Sequence, residues 1–292
     1  MAPDIRPCDA TLGAVVSEIA LGELTEPQWQ AVEGAFHEFA VLIFPDQHLT
    51  DAQQIEFGAR FGRIEQLVAD RNIVPITNRR EDGSLLADEA HGMQVMMGNE
   101  GWHTDSSYMP LAAKASVLSA HVVPESGGET EWADMRAAFD ALDAGTQQQL
   151  QDLAAYHSLY YSQGQIGHVV KPGAGYGFHT QDTPRRPLVK RHPVTNCPSL
   201  YVGRHAYGVG SKDGSEMLDE IASAQLLDDL VSFACQPPRI IQHTWTPGDI
   251  VVWDNRCVLH RARPYDHREA RVMKHTRIAG EPDSETCLPK TA

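Results

Sequence analysis

The stretch "GWHTDSSYMP", residues 101–110, sets His103 two positions before Asp105. On an extended chain alternate side chains share a face, so the imidazole and the carboxylate would converge on one point. Both are ligands for a divalent metal, and a third ligand would complete a site. Of the 14 histidines, His260 is the strongest candidate. It lies in "GDIVVWDNRCVLHRARPYDHREARVMKHTRIAG", where a turn leads into an apolar strand and then into a second extended stretch. It arrives about 155 residues after Asp105, on a separate strand.

Two imidazoles and one carboxylate occupy one face of an octahedral Fe(II) and leave three positions for a co-substrate and O₂. The same trio also serves zinc hydrolases, which need neither O₂ nor a co-substrate, so metal content separates these readings. A non-catalytic binding protein with a structural or vestigial triad is a third reading. Eleven residues after His260, Arg271 opens a strand-like run in which Arg271, Met273, His275 and Arg277 share a face. A buried arginine facing the metal needs an anion, and its planar fork suits a carboxylate. The alternative is an arginine whose head reaches solvent.

These residues must be held by a scaffold. Near the start, "TEPQWQAVEGAFHEFA" is predicted helical, with Thr25 as N-cap, Pro27 in the first turn, and Trp29, Val32, Phe36 and Phe39 at helical spacing. "AVLIFP", residues 40–45, is a short apolar run ended by proline and reads as a buried strand. "TDAQQIEFGARFG" opens on a Thr50–Gln53 capping box and reads as a second helix. Residues 134–154 and 214–234 also show helical periodicity. The remainder holds short β-rich runs between Pro, Gly and Asp turns: "ASVLSAHVV", "SLYVG", "RIIQHTW", "DIVVWDN" and "RVMKHTRIAG". That pattern predicts a mainly β sandwich or barrel with added helices. Nothing divides the 292 residues, so one domain over 1–292 is expected.

Composition narrows the partners. With 42% hydrophobic and 22% charged residues the chain is that of an ordinary globular protein. No apolar run approaches the ~20 residues of a membrane span, and the first residues carry no basic-then-apolar leader. The five cysteines form no CxxC pair and read as reduced thiols of a cytoplasmic protein. A formal net charge of −15 disfavours nucleic acid and anionic membranes as partners. An anionic small-molecule substrate would therefore need specific arginines to make a local positive site.

"WHTDSSY", "GGETEWADM" placing Thr130 27 residues beyond His103, "PGDIVVWDNRCVLH" and "REARVM" together resemble the taurine dioxygenase and phenoxy-acid dioxygenase superfamily of Fe(II)/2-oxoglutarate-dependent oxygenases. The resemblance runs from "TLGAVVSEIAL" to "IAGEPDSET". It implies a double-stranded β-helix (a cupin-like jelly roll) with His103, Asp105 and His260 as iron ligands. It also implies Thr130 and Arg271 as partners of 2-oxoglutarate, with Trp245 beside that co-substrate, and self-association of the chain. Trp253 is expected in core packing.

Four residues past Arg271, where taurine enzymes carry a sulfonate-binding arginine, stands His275, followed by Arg277. That departure disfavours a sulfonate substrate. "GNEGWHTDSSYMP", "HSLYYSQGQIGH", "RPLVKRHP" and "SLYVGRHAYGV" resemble aryloxyalkanoate dioxygenases, particularly those acting on (S)-2-phenoxypropionates. There an Arg-His pair binds the substrate carboxylate, which implies Arg204 and His205; His275 and Arg277 are further substrate candidates. The implied reaction hydroxylates the carbon next to the ether oxygen. The hemiacetal-type product then releases a phenol and a 2-oxo acid, with succinate and CO₂ from the co-substrate. The same chemistry on a sulfonate, a sulfate ester or another natural organic acid is the alternative.

Overall fold

A computed structural model describes residues 2–66, 68, 71–169 and 183–289. Its largest sheet has seven strands, in the order Asp4–Pro7, Ala14–Ser17, Val41–Phe44, Ile250–Asp254, Ala113–Val122, Val272–Ala279 and Val74–Thr77. Only the Ala14–Ser17/Val41–Phe44 pair is parallel. A three-stranded antiparallel sheet, Ile240–His243, Thr130–Asp134 and Val258–Ala262, faces it.

Alternation along the strands sorts the apolar residues into two layers. Val41, Ile43, Leu118, Ala120, Val251, Trp253 and Met273 point inward and pack with Trp132 and Val258 of the smaller sheet. Leu42, Phe44, Val117, Ile250, Val252 and Ile278 point outward and are covered by the helices Glu26–Phe39 and Asp51–Phe61. Those helices meet through edge-on aromatic contacts, Trp29–Phe61 and Phe36–Phe61 both at 4.9 Å between ring centroids. A third apolar cluster joins the smaller sheet to the helix Glu220–Ala234 and to the strands Leu153–His157 and Ala206–Ser211. The architecture is a jelly roll, mainly β with helices added outside the sheets.

Both N-terminal helices and the Val41–Phe44 strand lie where the sequence puts them. The run 134–154 differs. It forms two short helices, Met135–Asp140 and Ala144–Gln151, followed by the strand Leu153–His157. Asp143 makes the break: its carboxylate accepts from the Gly145 and Thr146 N–H groups and starts a new helix. The helix placed at 214–234 begins only at Glu220, because the Asp219 carboxylate caps it through the Ala222 N–H at 2.8 Å. "SLYVG" contributes strand only through Pro198–Leu200. The short helices His91–Gly98 and Leu159–Gly164 escape periodicity, since six to eight residues span barely two turns. Among the described residues no helix is long and apolar enough to cross a membrane.

Thr50 and Gln53 exchange bonds at the second helix: Thr50 Oγ1 accepts from the Gln53 N–H at 3.3 Å, and Gln53 Oε1 accepts from the Thr50 N–H at 3.0 Å. Thr50→Ala is expected to lower unfolding stability by about 1 kcal/mol, read from urea denaturation. No change would show that this helix end needs no cap.

Candidate metal and co-substrate site

His260 lies on the strand Val258–Ala262, opposite Trp132 of Thr130–Asp134. On its free side it pairs with His103 in an isolated antiparallel bridge. Each backbone N–H donates to the other's carbonyl, at 3.0 and 2.8 Å, and the two rings sit 4.2 Å apart. The extended stretch then gives way to a turn at Asp105. Asn255 fixes that turn: its Oδ1 accepts from the Asp105 N–H at 3.2 Å, and its carbonyl accepts from Thr104 Oγ1 at 2.7 Å. One ligand atom from each of His103, Asp105 and His260 lies within 4.8 Å of the others, and all three residues are buried.

The donor set fits a divalent metal. His103 Nδ1 lies 2.7 Å from the Gly101 carbonyl, which can only accept, so this nitrogen carries the proton and Nε2 keeps its lone pair. Burial holds the His103 imidazole down to about 4 and the His260 imidazole well below its usual range, so both are neutral. His260 Nδ1 is buried without a hydrogen-bond partner among the described residues, and Nε2 faces Asp105 Oδ2 at 3.8 Å. Asp105 is held ionised: burial opposes the charge, but the Arg277 guanidinium and the neighbouring imidazoles push its carboxyl far below the carboxylate range.

The same cavity is lined by Asn99, Leu118, Thr130, Trp253, Arg271 and His275. Arg271 is 6% exposed, donates from Nη2 to the Gly128 carbonyl at 3.1 Å, and pairs with no acidic side chain among the described residues. Its backbone N–H is held by Asn78 Oδ1 at 2.8 Å. A buried cation without a counter-ion is costly, and an anion entering the cavity would relieve that cost. Thr130 Oγ1 accepts from Trp245 Nε1 at 3.0 Å, which leaves the hydroxyl proton free to be donated elsewhere. Thr130 and Arg271 line the same cavity as the triad, and Trp245 reaches it through its bond to Thr130.

The substrate candidates divide. Arg204 donates to the carbonyls of Gly98 and Ser162 and has no acidic partner among the described residues; burial lowers it to about 10. His205 is buried with Nδ1 2.7 Å from Ser162 Oγ, and its ring lies 5.7 Å from that of His103. This pair borders the triad. His275 and Arg277 stand in a different setting from the substrate contact their spacing suggests, because both turn onto Asp105. His275 Nε2 is 3.6 Å from Oδ2, and Arg277 Nη2 donates to Oδ1 at 2.8 Å. Trp253 is buried as expected, but its ring also lies parallel to His275 at 5.9 Å and 4.7 Å from His260, so it walls the site.

Sequence reasoning missed Ser116 and Asn255. Ser116 Oγ donates to Asp105 Oδ2 at 2.6 Å and accepts from Asn255 Nδ2 at 2.9 Å. Neither has a motif of its own; only sheet register brings them to the carboxylate. A second group, His37, His192 and Asp254, also has metal-ligand proximity. There His192 Nδ1 accepts backbone N–H groups, so Nε2 donates to Asp254 at 3.0 Å, and Arg256 takes both oxygens of that carboxylate. The Asp254 carboxylate is thus already taken by Arg256 and His192.

The family model of taurine catabolism dioxygenase TauD, TfdA matches residues 4–277. The chain belongs to this family. It is 50% identical over 291 residues to the (S)-phenoxypropionate/alpha-ketoglutarate-dioxygenase of Sphingobium herbicidovorans, covering 98% of each chain. It is 35% identical to the alpha-ketoglutarate-dependent 2,4-dichlorophenoxyacetate dioxygenase of Cupriavidus pinatubonensis, covering 92% of this chain and 95% of that one. The solved structure of AAD-2 in complex with Mn(II) and N-oxalylglycine superposes with a TM-score of 0.89 at 36% identity, over 99% of this chain and 100% of that one.

The neutral imidazoles set a pH dependence. His103 and His275 titrate at about 4, and His157, His205 and His260 well below 6.5, all through burial. Between pH 6.5 and 4 the unfolded chain binds protons that the folded chain refuses, so stability rises with pH across that window and is lost on acidification. The metal-free protein is expected to show a lower urea midpoint at pH 5 than at pH 7. Equal midpoints would contradict neutral interior imidazoles.

Proposed function

We propose that this protein is an Fe(II)- and 2-oxoglutarate-dependent dioxygenase that hydroxylates an aryloxyalkanoate at the carbon beside its ether oxygen, releasing a phenol and a 2-oxo acid. The observation that carries the reading is one cavity lined by both a buried two-histidine, one-carboxylate set and a buried arginine with no acidic partner among the described residues. That combination suits a metal and a dicarboxylate together. The similarity to dioxygenases of phenoxy acids supplies the substrate class. When bound, Fe(II), 2-oxoglutarate and O₂ supply oxidative decarboxylation of the co-substrate coupled to hydroxylation of a C–H bond.

The chain's own residues bind and orient. His103, Asp105 and His260 hold the metal; Arg271 and the Thr130 hydroxyl take the distal carboxylate of 2-oxoglutarate, with Trp245 fixing the threonine. Arg204 and His205 take the substrate carboxylate, supported by the position of His205 beside His103 and the absence of a competing acid on Arg204 among the described residues. Leu118 and Trp253 give the cavity apolar and aromatic walls, which lower the local dielectric and strengthen charge contacts inside it. We also take residues 1–292 to be one cytoplasmic domain that self-associates and binds no nucleic acid. Support comes from two sheets sharing one core and from the net charge of −15.

The test is succinate release from Fe(II)- and 2-oxoglutarate-loaded protein on adding (S)- and (R)-2-phenoxypropionate, phenoxyacetates, a sulfate ester and taurine. The phenoxy acids are expected to stimulate release and to yield phenol, and taurine is not. Stimulation by the sulfur acids alone would move the substrate class. Arg271→Ala is expected to raise the KM for 2-oxoglutarate by about 100-fold, as a lost charge-assisted pair does. An unchanged KM would remove Arg271 from that role. Arg204→Ala should weaken the acid substrate more than 2-oxoglutarate; equal weakening would undo the distinction.

A further inference from the structure

Asp105 presents two different oxygens. Oδ2 is the one directed to the imidazoles, 3.8 Å from His260 Nε2 and 3.6 Å from His275 Nε2, and it accepts from Ser116 Oγ at 2.6 Å. Oδ1 is taken by Arg277 Nη2 at 2.8 Å. The donors come from a single cross-strand pair. Arg277 of Val272–Ala279 lies directly opposite Ser116 of Ala113–Val122 in the antiparallel register. Both side chains leave the inner face and reach the same carboxylate. Arg277 is itself fixed: Nη1 donates to Ser106 Oγ at 3.0 Å, and that hydroxyl donates to Glu65 at 2.9 Å. The guanidinium is 3% exposed, so water does not compete for Oδ1.

The geometry points to Arg277 as a positioning residue that confines Asp105 to a single-oxygen ligand by occupying Oδ1. This rests on the metal-centre reading above. The consequence is a coordination count. A six-coordinate metal holding two imidazoles, one carboxylate oxygen and a two-oxygen co-substrate has one position left for O₂. A carboxylate free to rotate and bind through both oxygens would fill that position. Arg277 also sets a cation beside the ligand, which weakens the attraction of the site for a divalent ion. The bond therefore trades metal affinity for an open position.

Arg277→Gln and Arg277→Lys test this against wild type. Mn(II) affinity of the metal-free proteins is measured by calorimetry, Co(II) coordination by visible absorption, and kcat and KM by succinate release. The glutamine variant is expected to bind Mn(II) about threefold or more tightly, because it loses a nearby cation and frees Oδ1. Its Co(II) spectrum should shift toward higher coordination, and kcat should fall about tenfold while the KM for 2-oxoglutarate stays within about twofold. The lysine variant keeps the charge and should return Mn(II) affinity to the wild-type value.

A merely structural arginine gives the opposite sign, since its loss loosens the site and weakens metal binding. Weaker or unchanged Mn(II) affinity in the glutamine variant, or unchanged kcat, overturns the proposal. Should that variant not fold, Arg277→Met is measured in its place: tighter Mn(II) binding with lower kcat supports the role, and weaker or unchanged affinity overturns it. A wild-type chain that binds no Mn(II) would sink the metal-centre reading itself, which separates the two failures.

Discussion

A carboxylate charge kept ionised in a dry interior is the constraint on which this molecule turns. Asp105 is 5% exposed, and an isolated buried carboxylate would take a proton rather than stay charged. It remains an anion because the Arg277 guanidinium pairs with it and Ser116 donates to it. Removing one partner of such a pair costs about 3–5 kcal/mol, so the site and the stability of the fold are tied together. The imidazoles stay neutral for the complementary reason. Burial makes a further cation expensive, and Arg277 already supplies one.

The scaffold delivers these groups through register. Trp253, Ser116 and Arg277 sit in one cross-strand row of the seven-stranded sheet, on three neighbouring strands. His275 lies one inward position along, opposite Leu118. From the facing side, the His103–His260 bridge sets both imidazoles at the edge of the smaller sheet. Shifting any of these strands by one residue would turn its inner row outward and dismantle the site. The helices packed on the outer face protect that register without touching the chemistry. Trp132 and Trp253, buried between the sheets, fix their separation.

What the sequence made legible follows from the range of each interaction. Local signals worked: the Thr50–Gln53 box, Pro27 in a first turn and the apolar run at 40–45 each act over a few residues. His103 and Asp105 do meet His260, but through a turn at Asp105 that Asn255 fixes rather than through strand alternation. His260 and Arg271 came from strand-like context and from a resemblance, and the structure sets both in the same cavity. The misses were of two kinds, one local and the others non-local. Asp143 splits a run whose periodicity looked continuous, because a cap overrides a weak apolar pattern. Arg277 is one of four substrate candidates in the sequence, and its bond to Asp105 is not legible there, since spacing gives a face but not the depth at which Asp105 waits. Ser116 and Asn255 carry no signal at all until three strands are aligned.

The central claim is that three side chains and a solitary arginine form one seat for a metal and a dicarboxylate. Anaerobic titration of Fe(II) into the metal-free protein, with 2-oxoglutarate present, tests it most directly. Chelation of the keto acid by a protein-held ferrous ion gives a visible charge-transfer band that neither component shows alone. The account requires the band to saturate at one equivalent of Fe(II) and to be lost on replacing His103 or His260 by alanine. A band that survives both replacements, or none in the wild type, would contradict it.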